Sequence, residues 1–94
     1  MLAVLVRVTA PTQEVETPNL ALVEDVVWAA AEPRDCLEHV TVEVDRGLVS
    51  IMTFVRAADK EHAEAQAGAL IGRAVHRAVP FRGWRVLECS AVDL

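Results

Sequence analysis

The chain has two tryptophans, two phenylalanines and no tyrosine among 94 residues. Aromatics make up 4% of a sequence that is 53% apolar, so the hydrophobic matter is Val, Ala and Leu. This scarcity of rings argues against base stacking and against an aromatic-lined pocket. Lys60 is the only lysine, and the formal net charge is −5. Phosphate recognition needs clustered Arg and Lys, so nucleic acid and anionic membrane are not expected partners. Cys36 and Cys89 are the only cysteines, with no CxxC spacing. Isolated cysteines and scattered histidines (His39, His62, His76) do not supply the compact ligand set that zinc requires, and no metal or other cofactor is expected. With no signal-like leader, two unpaired cysteines read as reduced thiols in a cytoplasmic chain. The opening MLAVLV is too short to span a bilayer and is interrupted by Arg7.

What is present fits one domain, 1–94, which buries about 60–65% of its unfolded surface. The high Val, Ala and Leu content for so small a chain points to apolar surface covered by another copy or a partner. The richness in Arg, Ala and Val fits a GC-rich bacterial genome.

Residues 2–9, LAVLVRVT, form a β-rich run, and 10–18, APTQEVETP, a polar loop. Thr17-Pro18 reads as a helix start, with Thr as N-cap and Pro in the first turn. A helix over 19–32 then ends at Pro33. LEHVTVEVD, 37–45, alternates, with Val40, Val42 and Val44 on one face and His39, Thr41 and Glu43 on the other. Asp45-Arg46-Gly47 is a hairpin turn in which Gly47 supplies a positive φ. LVSIMTFVR, 48–56, is a further strand. Asp59 caps a helix over 60–78, stopped by Pro80, and 84–92, WRVLECSAV, is the last strand. Gly68 and Gly72 weaken the second helix but permit close packing on a neighbour.

The resulting order, βαββαβ, resembles the ferredoxin-like split βαβ fold. That resemblance is one of pattern and brings no family motif. It implies an α+β domain, a four-stranded antiparallel sheet with two helices on one face, the first and third strands central. Both of those strands are apolar on both faces. One residue of register decides whether Val49, Ile51 and Val55 or Leu48, Met52 and Phe54 face the helices. Either way an apolar set remains on the uncovered side.

In the first helix Leu20, Val23, Val26, Val27 and Ala30 share a face, and Trp28 falls among Glu24, Asp25 and Glu32 on the other. In the second, Ala63, Ala67, Leu70, Ile71, Ala74 and Ala78 face the sheet, with His62, Gln66, Arg73, His76 and Arg77 outward. The expected contact residues are Leu5, Met52 and Phe54 on the open face, Trp28 as an anchor, and Trp84 at one end of the core.

Metal chaperones of this topology have paired cysteines in the first loop, which APTQEVETP lacks. RNA-recognition domains have stacking rings on the third strand, where this chain has only Phe54. The acylphosphatase phosphate loop needs Gly and Arg in the first turn. The segment DKEHAE, 59–64, reads as an acidic first helical turn with solvated side chains. Cys89 reads as structural, since Glu88 opposes a thiolate and Arg85 is the only cation nearby, two steps away on the same face. A Cys36–Cys89 disulfide is not expected, because the two fall on opposite edge strands.

The preferred expectation is therefore a non-catalytic accessory or regulatory module that works as a homodimer or through a protein partner. The alternative is a small-molecule binder or a cofactor-free enzyme, like a monooxygenase or cyclase. Its pocket would lie between sheet and helices, and His39, Glu43, Arg7 and Trp84 are its candidate polar groups.

Overall fold

The computed structural model describes residues 1–12, 18–45 and 47–93. It is an α+β domain with a four-stranded antiparallel sheet and two α-helices. The strands are β1 (Leu2–Thr9), β2 (Leu37–Asp45), β3 (Leu48–Val55) and β4 (Arg85–Val92), and the helices are α1 (Leu20–Ala30) and α2 (Lys60–Arg77). Short 3-10 turns at Pro33–Asp35 and Val79–Phe81 follow the two helices. The sheet order is β2-β3-β1-β4, so the two most apolar strands are central.

The helix caps follow from short polar side chains that satisfy orphan N–H groups. Asp59 accepts from the His62 amide at 2.8 Å and starts α2 as the sequence indicates. At α1 the cap is Asn19, which accepts from the Leu22 amide at 2.8 Å. Pro18 thus precedes the helix instead of opening it, and Thr17 falls outside the described residues. Both cap positions suit Asx side chains, and Asn19 is the one next to the apolar-periodic run. The helix also ends two residues early, at Ala30, because Ala31 is extended ahead of Pro33. Gly47 has φ +75° in the β2–β3 turn, as that turn demands, while Arg46 falls outside the described residues.

Pairing Ile51 with both Val6 and Val42 fixes the register. Val4, Val6, Val8, Val40, Val42, Val49, Ile51 and Val55 therefore lie under the helices. They meet Val23 and Val27 of α1 and Ala63, Ala67, Leu70, Ile71, Ala74 and Val75 of α2. Thr53 occupies one inward position, and its hydroxyl donates to the Val4 carbonyl at 3.1 Å, so no polar group is stranded there.

Three expected orientations are corrected. Leu20 is exposed, because it sits at the helix end beyond the edge of the core. Arg73 does not face outward. Its side chain is 16% exposed and is held by Asp35 and the Ala30 carbonyl, which closes the end of α1 onto α2. The two helix glycines also differ. A Cβ at Gly68 would meet Cys89 Sγ at 3.6 Å, whereas one at Gly72 would meet nothing within 4 Å. Gly72 therefore faces open space and not a packed neighbour.

Candidate functional site

The face of the sheet away from the helices is built by the alternate residues of each strand. Ladder partners place them in rows running from β2 through β3 and β1 to β4. One row is His39, Phe54, Ala3 and Val92, and the next is Thr41, Met52, Leu5 and Ser90. The third is Glu43, Ser50, Arg7 and Glu88, and the last is Asp45, Leu48, Thr9 and Arg85. Leu5, Met52 and Phe54 thus stand together in the middle of an uncovered face, each only half-buried. The choice left open by the sequence falls on Met52 and Phe54, with Val49 and Ile51 inside.

The charged row crosses this apolar ground. Arg7 pairs with Glu88 at 3.2 Å, with both side chains nearly half exposed. Such a pair contributes about 0–1 kcal/mol. The Arg7 Nε is buried and has no hydrogen-bond partner. On the other side of Arg7, beyond Ser50, Glu43 forms no ion pair among the described residues. Leu5, Thr41, Glu43, Ser50 and Met52 surround a shallow hollow of about 240 Å³. His39 lies against Phe54, ring centroids 5.6 Å apart and tilted by 45°.

Of the four groups considered for a catalytic pocket, Arg7, His39 and Glu43 share this open face, and none lies between sheet and helices. Trp84 is elsewhere. It is 5% exposed, packed edge-on against Phe81 with centroids 5.4 Å apart, and so belongs to the core. Trp28 is on the outer side of α1 and 47% exposed.

The cysteines occupy different surroundings. Cys36 is exposed at the start of β2, in a left-handed conformation with φ +52°. Cys89 lies between β4 and α2, its thiol 3.4 Å from the Glu64 carbonyl. Burial, and secondarily the Glu64 carboxylate, push its thiol pKa above the ordinary value. The expectation that Arg85 and Cys89 share a face is corrected. Arg7 pairs with Glu88 but Val8 with Val86, which leaves Leu87 as an extra residue in β4. That bulge reverses the alternation. Arg85 lies on the open face and Cys89 beneath α2. The parity argument needed an unbroken strand, and no residue type announces the bulge.

In the DKEHAE segment, Asp59 and His62 are paired through the imidazole Nδ1 at 2.8 Å. The His62 amide and imidazole hold the Asp59 carboxyl below its ordinary range, and Asp59 raises the imidazole above 6.5. Among the described residues no three His, Cys, Asp or Glu side chains gather as a metal site would require. No helix among them is long and apolar enough to cross a membrane. No protein-family model matches the chain, and no curated protein shows significant similarity to it.

Proposed function

We propose that this chain is a ferredoxin-like module of the bacterial cytoplasm that acts without catalysis, as a homodimer joined through its open sheet faces, in an accessory or regulatory role. The observation that supports this reading most is the composition of that face. Leu5, Met52 and Phe54 flank a row reading acid, hydroxyl, base, acid: Glu43, Ser50, Arg7, Glu88. An isologous contact must be self-complementary. A two-fold axis running along β3 lays Met52 and Phe54 on their counterparts and Arg7 over Glu43 of the second copy. Arg7, whose side chain is nearly half exposed beside Glu88, then gains a second acidic partner.

Area sets the strength of such a pair. Four strands about 4.8 Å apart, each rising about 3.3 Å per residue, give a face of about 500 Å². Stable interfaces use about 600–1,000 Å² per partner. The dimer is accordingly expected to be weak and to dissociate on dilution. Sedimentation velocity across a concentration series tests this, with M52E and L5E as variants whose substituted residue is already half-buried on the uncovered side. A concentration-dependent dimer that both variants abolish, with unchanged circular dichroism, supports the proposal. A monomer at every concentration sinks it.

A further inference from the structure

Most basic side chains of this chain have an acidic partner. Arg7, Arg34, Arg56, Lys60 and Arg73 all form ion pairs. Among the described residues, Arg77, Arg82 and Arg85 do not, and all three fall between the last turn of α2 and the start of β4. Arg85 lies on the open sheet face beside Thr9. Arg77 and Arg82, together with His76, line a hollow of about 460 Å³ on the helix side of the β4 edge.

The rest of that hollow is mainly apolar, with Val75, Phe81, Trp84 and Val86 in its wall. It is open because α2 has no side chain at Gly72, where a Cβ would meet nothing within 4 Å. Its size falls in the range of small-molecule sites, about 300–1,000 Å³. No carboxylate is among its lining residues. Trp84 contributes a second anomaly: it is 5% exposed, and its indole Nε1 has no hydrogen-bond acceptor. Buried donors are almost always paired. A cation in the last turn of a helix is ordinary, since it complements the terminal carbonyls. That accounts for His76 and Arg77. It does not account for Arg82 beyond the 3-10 turn or for the space over Gly72.

We propose that this corner binds a small organic anion with an apolar body. The anionic head, a carboxylate or a phosphate monoester, is held by Arg77 and Arg82, and the body lies over Gly72 against Val75, Phe81 and Trp84. The site is on the opposite side of the sheet from the open face and does not depend on the dimer.

The test is a titration of the full chain followed by ¹H–¹⁵N correlation spectra. Trp28 and Trp84 give the only two indole N–H signals, so the exposed Trp28 is an internal control. The probes are 4-phenylbutyrate, phenyl phosphate, the uncharged 4-phenylbutanol, and inorganic phosphate. The expected result is a saturable shift of the Trp84 indole signal with one or both organic anions, Trp28 unmoved. The alcohol is expected to bind about tenfold or more weakly, as loss of a charge-assisted hydrogen bond implies. R82Q is expected to weaken binding similarly. G72L places a side chain in the hollow at a helix position that favours Leu over Gly, and is expected to abolish the shift while the protein stays folded. A Trp84 signal that does not saturate at millimolar concentrations of either organic anion overturns the proposal. So does an alcohol that binds as tightly as the acid, a G72L variant that binds normally, or inorganic phosphate alone binding as well as the organic anions.

Discussion

Arg73 of α2 closes on the carboxylate of Asp35, which sits in the turn between α1 and β2, and both are withdrawn from solvent, their side chains 16% and 4% exposed. Asp35 also accepts from the Glu32 amide at 2.7 Å, and Arg73 donates to the Ala30 carbonyl at 3.3 Å. One ion pair therefore fastens the end of α1, the following turn and the middle of α2.

Removing the acid leaves a mostly buried guanidinium without its main partner. D35A is expected to cost about 3 kcal/mol, the lower part of the range for breaking a buried pair, because Glu32 lies 4.0 Å from Arg73 and compensates in part. Urea denaturation measures it. A loss below about 0.5 kcal/mol, the scale of an ordinary surface substitution, would show that the clasp adds nothing.

The two tryptophans are expected to behave oppositely. W84A empties a buried position packed on Phe81 and should cost about 3–5 kcal/mol. W28A trims a ring that is 47% exposed and should cost less, about 1–2 kcal/mol. The W28F and W84F single-tryptophan proteins separate them without denaturant: the one retaining Trp84 should emit at shorter wavelength and resist quenching by acrylamide.

The thiols should differ in the same way. Cys89 is partly covered by α2 and has a raised pKa, so less of it is thiolate at neutral pH. Cys36 is exposed. Reaction with a chromogenic disulfide is expected to show a fast phase lost in C36S and a slow phase lost in C89S. A fast phase assigned to Cys89 would contradict its placement beneath the helix.

The α2 cap should respond to pH through two groups with opposite shifts. His62 has a raised pKa, so its contribution is complete below its unfolded value, 6.5, and is lost as pH rises through the folded one. Asp59 has a lowered pKa, so its contribution is present above its unfolded value, 3.8, and is lost as pH falls through the folded one. The pair is expected to support the helix most between these limits. Proton NMR of His62 should show an elevated midpoint that returns towards 6.5 in D59N.

The elements were legible because each depends on neighbours in the chain. The Val40-Val42 alternation, the Asp59 cap and the positive φ of Gly47 all appear where the residue types require them, while Val44 near the end of β2 is exposed. The open face was legible too, since two central strands apolar on both sides leave Leu5 and its neighbours uncovered whichever register holds. Other features needed partners distant in sequence. Nothing in its local sequence marks Asp35, and Arg73, 38 positions away, reads as an outward helix residue. The basic corner was likewise hidden, because Gly72, Arg82 and Trp84 come together only when α2 and β4 are laid side by side.

By itself the sequence determined the βαββαβ order, the helix starting at Asp59 and an acidic, aromatic-poor composition. These rest on local propensity and periodicity, which act within a few residues. Tertiary structure decided which face of β3 is buried, where β4 bulges at Leu87, and that Arg73 turns inward to Asp35. Each of those choices is set by pairing or packing across the sheet and between the helices, where the free energy of burial and of satisfying charged groups outweighs the preference of any single segment.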